Sequence, residues 1–271
     1  MPFSYISRND LKARLADTAT TDDAIYRIIL EAIAKVIDDY CHWTFHVHLA
    51  TRYLTPVWSH LIDLDQPLIS VTSLKTDADG DRTYENTWAA TDYDLKPDNA
   101  SSDGAPYREI EITPNGDSTF PTTRRGVEVV GKWGWVEDLL TSPSTLNEAL
   151  DTSETGVDVT AGTDFEVLQT ILIDSEQMYI TAIATNTLTV ERAVNGTAAA
   201  THSSAAAIKI YRYPETVVEA AVILASRYFR RKDAPFGVTG FAEGGAIPIP
   251  REDPDVVRLL NPYRKLRAGV V

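Results

Sequence analysis

The sequence predicts an α+β fold, in which a few helices carry a larger amount of β structure. Helical periodicity is confined to residues 8–16, 21–41 and 214–231, towards the two ends of the chain. Between these segments the apolar period is two, which is typical of half-buried strands. The 271 residues are 44% hydrophobic, enough to bury a core in one large domain or two smaller ones. We expect the helices to form a helical core from which β excursions emerge.

The longest helix is predicted over residues 21–41. Thr21 stands at the position of an N-cap, and the next two residues are aspartates, which suit the positive end of the helix dipole. A shorter helix precedes it, with Leu11 and Leu15 facing inward. Apolar residues recur in the long helix at spacings of three and four and predict one broad buried face: Ile25, Ile28, Ile29, Ala32, Ile33, Val36, Ile37 and Tyr40.

Short strands are predicted on both sides of residue 138. Residues 45–58, 60–76, 92–97, 107–112 and 126–135 alternate in polarity and are separated by turn sequences such as DADGD and TPNGD. Residues 138–211 contain about five further strands and almost no helical pattern, which predicts an inserted small β-barrel or sandwich. Helical periodicity then returns at 214–231, and this helix is expected to pack on the N-terminal helices.

The remaining residues predict an extended C-terminal arm. Seven glycines and prolines punctuate residues 235–250 too densely for a helix, although a short helix can form at 254–260. The predicted domains are therefore a core of residues 1–137 and 212–234, the insertion at 138–211, and an arm at 235–271.

Charge is unevenly distributed along the chain. The formal net charge is -14, yet residues 213–271 hold 9 Lys and Arg against 7 Asp and Glu. An acidic body repels phosphate, so sequence-specific DNA binding is not expected, whereas the basic end predicts an acidic protein partner or a small anionic patch.

The sequence has no apolar run of membrane-helix length, and its N-terminus lacks the features of a signal peptide. We expect a protein that is used without secretion.

Candidate metal sites do not fit their patterns. His42, His46 and His48 cross a predicted helix-to-strand junction and lack the HExxH arrangement, so they are interpreted as packing or surface histidines. The acidic run from Asp77 to Asp81 resembles a calcium loop only weakly, because its glycine is misplaced, and a hairpin turn is the favoured interpretation. The lone Cys41 excludes disulfides within the chain and is expected to be a small buried apolar residue.

Candidate catalytic and ligand-binding groups are equally weak. Asp174 and Glu176 could form a hydrolytic carboxylate pair, but strand alternation places both on the wet face. Lys132, Trp133 and Trp135 could form a stacking platform for single strands or sugars, although tryptophans in such a strand more often belong to a core or an interface. We expect no catalytic residue, no metal and no cofactor, and therefore no enzymatic activity.

Three stretches together carry a resemblance to a known family. The stretches are PLISVTSLKTD with DYDLKPD, then GVEVVGKWGW, then AAVILASRYFRRKDAPFGVTG with an arm ending DPDVVRLLNPYRK. In this order they are similar to the head-tail adaptor (connector) proteins of long-tailed bacteriophages. The resemblance covers roughly residues 1–137 and 212–271. The middle departs from the shortest, nearly all-helical members, and it is similar to a small β-module of phage structural proteins whose role stays open.

The resemblance implies a virion protein at the head-tail interface, present in the host cytoplasm during assembly. Such proteins form a ring, generally of twelve subunits, under the portal protein, extend the DNA channel and present a platform for the next stopper or tail-completion protein. DNA then passes through the lumen without sequence-specific binding. Two alternatives remain open, namely a head-closure or tail-completion protein of the neck, and a carbohydrate-binding or hydrolytic phage protein that uses the acidic β-module.

The arm is the predicted portal-docking element under this resemblance. Ordering residues 235–250 costs roughly 1 to 2 kcal/mol per residue, whereas each buried apolar side chain returns about 1.5 to 3 kcal/mol, so docking needs backbone pairing or a closed ring as well. The basic residues at the end of the 214–231 helix are expected to meet carboxylates of the portal or of a neighbour, unless they simply satisfy the helix C-terminus. The docking residues are Arg230, Arg231, Lys232, Phe236, Val238, Phe241, Ile247, Ile249, Tyr263, Arg264 and Lys265.

Overall fold

The structure is a computed structural model that describes residues 3–114, 118–231, 238–242, 245–248 and 253–265. For residues 238–242 and 245–248 the description covers the backbone. The predicted docking residues Lys232, Phe236 and Ile249 lie outside the described residues. No helix within the described ranges combines the length and the apolar character needed to cross a membrane.

The fold is α+β, as predicted, with more described residues in strands than in helices. Two six-stranded antiparallel sheets account for most of the strands, and a separate two-stranded sheet lies near the C-terminus. The chain divides into two compact units. Unit 1 contains residues 1–42, 138–194 and 198–271, and unit 2 contains residues 43–137 and 195–197. The break between residues 137 and 138 coincides with the predicted start of the insertion, but the helices share their unit with the sheet that follows this break. The predicted domain division and helical core stay predictions.

Four α-helices are present in the described part of unit 1. They are α1 (Arg8–Leu15), α2 (Asp23–Cys41), α3 (Glu215–Arg230) and α4 (Pro254–Leu260). A capping box begins α1, because the Ser7 hydroxyl accepts from the Asp10 N–H while the Asp10 carboxylate accepts from the Ser7 N–H. Both α1 and α4 contact α3, and α3 contacts α2. The predicted N-cap of α2 is wrong, since Asp22 occupies that position without a side-chain cap hydrogen bond.

The buried face of α2 is rotated from the prediction. Of the eight predicted inward residues, Ile33 and Ile37 are buried, whereas Ile28 is 68% exposed and Ile25 and Val36 are also exposed. The helix is apolar around much of its circumference, so the sequence offers more than one apolar stripe. The face that packs inward carries Tyr26, Leu30, Ile33, Ala34, Ile37, Asp38 and Cys41. Contact with α3, including the Tyr26 and Phe229 rings 4.7 Å apart, selects that face.

The sheet of unit 1 follows the order β7-β12-β9-β10-β11-β8. Its core is aliphatic and includes Ile171, Ile173, Met178 and Ile180. Five of these strands were predicted. The sixth, β7, was not, because Pro143 and the serines around it interrupt the alternating pattern. Their bounds are β7 (Asp138–Thr145), β8 (Gly156–Asp158), β9 (Thr170–Ile173), β10 (Glu176–Ala184), β11 (Thr187–Glu191) and β12 (Ala207–Arg212).

The sheet of unit 2 follows the order β1-β6-β2-β5-β4, with β3 paired to β2. Trp133, Ile62, Leu64 and Phe120 lie in its core. All five strands predicted for this region are present, and β3 is a short addition. Their bounds are β1 (His48–Leu54), β2 (Leu61–Thr76), β3 (Asn86–Thr87), β4 (Tyr93–Lys96), β5 (Tyr107–Ile112) and β6 (Val127–Trp133).

The C-terminal region contains the two-stranded sheet and α4. The strands β13 (Val238–Ala242) and β14 (Gly245–Pro248) are antiparallel, with Val238 opposite Pro248 and Ala242 opposite Gly245. The extended backbone expected from the alternating prolines is therefore present at these residues, and the predicted short helix at 254–260 is confirmed.

Candidate docking site

The predicted basic residues lie at the C-terminal end of α3. Arg230 ends the helix and Arg231 is its C-cap, with a backbone N–H that donates to the carbonyl of Arg227. Both side chains are exposed. The Arg231 guanidinium lies 5.4 Å from the centroid of the Tyr228 ring, which is itself 42% exposed. Cations at this end of a helix suit its dipole, and these two also project into solvent where a partner can reach them.

Helix α4 is held on α3 by an ion pair at its first turn. Asp253 is the N-cap of α4 and accepts from the Asp255 N–H at 3.0 Å, and Pro254 follows at the first helical position. The second oxygen of the Asp253 carboxylate lies 2.7 Å from Nη1 of Arg227. Val256 and Leu260 are buried. Asp253 followed by Pro254 is the sequence signal that predicts this cap.

The residues after α4 contact the helices of the same unit. The Tyr40 hydroxyl donates to Oδ1 of Asn261 at 2.9 Å, and the Tyr263 hydroxyl is 2.7 Å from that of Thr216. The Arg264 guanidinium lies 5.4 Å from the Tyr40 ring centroid. The Lys265 N–H donates to the carbonyl of Cys41 at 2.9 Å. Three predicted docking residues, Tyr263, Arg264 and Lys265, are thus anchored on α2 and α3 within their own chain.

An apolar groove of about 160 Å³ lies among α2, α3 and α4. Val36, Tyr40, Leu224 and Tyr228 line it from the longer helices, and Val257 lines it from α4. Arg227, Arg231 and Asp253 supply its charged groups. The groove exists only because α4 docks on α3 beside α2, which the periodicity of the sequence does not indicate. The predicted docking residues that the structure describes therefore fall into three sets. Val238, Phe241 and Ile247 lie in the hairpin, Arg230 and Arg231 lie at the end of α3, and Tyr263, Arg264 and Lys265 follow α4.

The acidic run forms the turn between β2 and β3, and the three histidines are wholly or partly buried. His46 is buried and His48 is partly buried, and burial lowers the pKa of His48. Among the described residues, the potential metal ligands that gather within 4.8 Å of one another are Asp77, Asp79, Asp81 and Glu85. The Asp77 carboxylate accepts from the N–H groups of Gly80 at 2.7 Å and Arg82 at 2.9 Å. These hydrogen bonds are those of a turn, and they occupy the most buried carboxylate of the group.

The placement predicted for Glu176 is wrong. Asp174 has a left-handed φ of 51° in the turn between β9 and β10, which breaks the alternation. As a result the Asp174 side chain is 65% exposed, whereas Glu176 is fully buried. Glu176 accepts from Nε of Arg192 at 2.8 Å, from Nη2 of Arg192 at 2.6 Å, and from the N–H groups of Ala193 and Ala200. His202 lies between the two carboxylates, with Nδ1 2.7 Å from Asp174 and Nε2 3.0 Å from Glu176.

The environment of Glu176 suits a structural tie and not a catalytic acid. Burial alone raises the pKa of Glu176, but hydrogen bonds from Arg192, His202, Ala200 and Ala193 outweigh it and lower the pKa to about 2. A carboxylate that stays ionised and has its oxygens occupied cannot donate a proton near neutral pH. The network instead holds the backbone around residues 193–200 against the end of β10.

The tryptophans do not form an exposed platform. Trp133 is fully buried and its Nε1 donates to the carbonyl of Ala50 at 3.0 Å, and Trp135 is also buried. Lys132 pairs with Glu137 at 2.7 Å. Cys41 is buried as predicted, and burial raises the pKa of its thiol to about 12. The surface best suited to contact a partner is therefore the end of α3 with α4 and the hairpin.

Comparison with known proteins gives structural matches alone. No family model matches the chain, and no curated protein matches it. A chain in the structure described as "Neck of empty GTA particle computed with C6 symmetry" matches 98% of this chain and 93% of its own length, with a TM-score of 0.44 and 15% identity. A chain in "Virion of native gene transfer agent (GTA) particle" gives a TM-score of 0.43 and 15% identity over 97% of this chain and 90% of that chain.

A third match is a chain in "Neck of native GTA particle computed with C12 symmetry", with a TM-score of 0.41 and 16% identity over 100% of this chain and 98% of that chain. The structures that this chain resembles are thus neck and virion structures of gene transfer agent particles. With TM-scores below 0.5, these likenesses assign neither a family nor a role.

Proposed function

We propose that this chain is a structural virion protein, a head-tail adaptor that forms a ring of twelve subunits under the portal. The ring extends the DNA channel and supports the next stopper or tail-completion protein. In this proposal residues 138–211 are an inserted domain, residues 235–271 form the docking region, and the role is structural and not catalytic. The basis is the motif order described above, together with the geometry of the C-terminal region.

One observation carries the proposal. The strands β13 and β14 form a sheet of their own, and among the described residues neither of them pairs with a third strand. The chain enters this region from the end of α3 and leaves it through Asp253, which is fixed to Arg227. An isolated two-stranded hairpin is marginally stable in water, and its open edges can accept another strand. A hairpin that follows α3 and precedes α4 along the chain, with both edges open, is suited to pairing with a partner.

The hairpin also changes the energetic argument for docking. A wholly unstructured arm has to lose roughly 1 to 2 kcal/mol of backbone entropy per residue when it binds. Residues that are already paired between β13 and β14 have lost part of that freedom before binding, so less of the docking free energy is spent on ordering them. Strand addition to a portal edge supplies backbone hydrogen bonds, while Val238, Phe241 and Ile247 supply apolar contacts.

The charge distribution fits a channel protein with a separate docking end. Most of the net charge of -14 lies outside the C-terminal region, and an acidic lumen lets DNA slide without adhering. Arg230 and Arg231 provide the opposite charge at the docking end, for carboxylates of the portal or of a neighbouring subunit. Arg264, by contrast, lies over the ring of Tyr40 of its own chain and holds the segment after α4 on α2.

The experiment is native mass spectrometry of the chain with the portal ring from the same source. Removal of residues 235–271 would also delete α4, which buries Val256 and Leu260, so a sharper variant replaces residues 235–250 with a Gly/Ser segment of equal length. We expect the wild-type chain to add to the portal in equal numbers and the Gly/Ser variant to stay unbound. A Gly/Ser replacement of residues 101–104, an exposed turn, is the matched control and should bind.

Circular dichroism and the oligomeric state of the free chain verify that each variant is folded. Binding that survives replacement of residues 235–250 would contradict the docking role of the hairpin. Absence of any complex with an intact portal would favour the alternative of a head-closure or tail-completion protein, which binds a later component of the neck.

A further inference from the structure

We propose that α3 carries two complementary contact surfaces, one at each end, through which one copy of the chain binds the next copy head to tail. This inference rests on the proposed ring and identifies which surfaces of the subunit close it. The first surface is the basic end, formed by Tyr228, Arg230 and Arg231 with Val36. The second is the acidic hollow, formed around Leu140, Asp164, Glu166, Glu215 and Val218.

The basic end has charge and apolar surface that the described part of the chain does not use. Arg230 has no ion-pair or hydrogen-bond partner among the described residues, and Arg231 contacts the face of Tyr228. Tyr228 and Val36 are 42% and 40% exposed, large values for apolar side chains that also line the groove beside α4. A partner that covers this end must therefore offer carboxylates next to an apolar surface.

The acidic hollow meets that requirement. It has a volume of about 360 Å³ and lies where the start of α3 meets the sheet of unit 1. Leu140, which is 50% exposed, Ile210 and Val218 give it apolar lining, and Asp10, Asp164, Glu166 and Glu215 line it with carboxylates. Its one cation among the described lining residues, Arg212, lies 3.6 Å from Asp138.

The carboxylates of the hollow differ in how far the chain already uses them. Asp164 accepts from the Ser144 hydroxyl at 2.6 Å, and Asp10 belongs to the capping box of α1. The side chains of Glu166 and Glu215 have no partner among the described residues. These two glutamates are therefore the acceptors best placed to receive guanidinium groups from another molecule.

Helix polarity alone does not explain the pattern. The dipole favours Glu215 at the start of α3 and arginines at its end. The dipole does not account for Asp164 and Glu166, which precede β9. It also does not account for the exposed side chains of Leu140 in the acidic hollow and Tyr228 at the basic end. Each surface combines charge with apolar area, and the charges have opposite signs, which is the composition expected of two halves of one interface.

The separation of the two surfaces fits a ring. Glu215 and Arg231 are 16 residues apart along α3, or about 24 Å at 1.5 Å per residue. A contact between two different surfaces of identical subunits is heterologous, and it closes into a ring when the rotation between subunits allows. A two-fold contact, by contrast, uses both surfaces of both copies in one antiparallel dimer and leaves neither surface to bind a third copy. In a chain of net charge -14, the basic end is also the place where a second copy is attracted and not repelled.

The test uses two variants that each disable one surface. The first is Arg230→Glu with Arg231→Glu, and the second is Glu166→Arg with Glu215→Arg. Sedimentation velocity at low salt is measured for wild type, for each variant alone and for their mixture. We expect wild type to associate in a salt-dependent manner and each variant alone to bind itself at least tenfold more weakly. The mixture should form a complex, because the intact basic end of one variant meets the intact hollow of the other.

The controls are Arg124→Glu and Glu148→Arg, which each make one such charge reversal at an exposed position outside both surfaces and should associate as wild type does. A second measurement locates the contact by cross-linking. Chains with Glu215→Cys and chains with Arg231→Cys, mixed with a short bis-maleimide, should give a cross-linked dimer that neither chain gives alone. The native Cys41 is buried and does not compete.

A mixture of the two charge variants that stays monomeric while wild type associates would overturn the inference. So would a wild-type chain that stays monomeric at low salt and yields no cross-linked dimer. Portal binding separates this inference from the proposed function. If the charge variants add to the portal as wild type does, the adaptor role stands and the head-to-tail contact does not.

Discussion

The Arg227 guanidinium donates to the Asp253 carboxylate across 2.7 Å, and this ion pair joins α3 to the first turn of α4. Both side chains are mostly buried, so solvent screens the pair less than it screens a surface pair. Asp253 also caps α4, so one carboxylate both begins this helix and fixes it to α3.

Replacement Asp253→Ala should release α4 from α3. The variant loses an N-cap and a partly buried ion pair, and we expect the free energy of unfolding to fall by about 1 to 2 kcal/mol. Asp253→Asn keeps a capping oxygen and should lose less. The measurement is urea denaturation, combined with hydrogen exchange of the amides in residues 254–260. Asp98→Ala, which removes a carboxylate that is 70% exposed and pairs with Lys96, is the control and should change stability little. Equal losses in the two alanine variants would contradict the role of Asp253.

Replacing isoleucine by alanine at two positions of α2 tests which face of this helix is buried. Ile33→Ala removes a side chain that is 1% exposed and should cost about 2 to 5 kcal/mol of unfolding free energy. Ile28→Ala removes one that is 68% exposed and should cost less than about 1 kcal/mol, because little burial is lost and alanine has the higher helix propensity. Urea denaturation of the two variants decides between the faces. Similar losses would indicate that Ile28 is packed, as the sequence pattern predicted.

These helices also show how far the sequence could predict the fold. Alternation of period two located all five predicted strands of unit 2, because each of them has one buried face. Periodicity located α2 but not its buried face, since an apolar stripe does not say which neighbour it meets. The position of Glu176 was missed for a local reason, the left-handed residue at Asp174 that ends the alternation. The groove beside α4 and the acidic hollow depend on tertiary packing, which periodicity does not contain.

The thiol of Cys41 should react with a maleimide only when the chain unfolds, so its labelling rate reports unfolding. Burial raises its pKa to about 12, so almost none of it is thiolate near pH 8, and reagents cannot reach it in the native state. We expect native Cys41 to react with a maleimide at least a hundredfold more slowly than the denatured chain. Ser101→Cys, at an exposed turn, serves as the positive control and should react at once. Fast labelling of native Cys41 would show that the C-terminal end of α2 opens readily, against its contact with Lys265.

The strongest pH dependence should come from Glu176. Its pKa of about 2 in the folded chain lies below its ordinary value of 4.5, so the ionised carboxylate stabilises the fold. This contribution is fully present above about pH 4.5 and is lost as the pH falls towards 2, and linkage puts it on the order of 3 kcal/mol. Glu176→Gln should therefore be much less stable than wild type at pH 7. The difference in unfolding free energy, measured by urea denaturation, should shrink steadily below pH 4.5. Glu148→Gln, at an exposed position, should show no such trend, and a difference for Glu176→Gln that does not change with pH would refute the ionic role of this carboxylate.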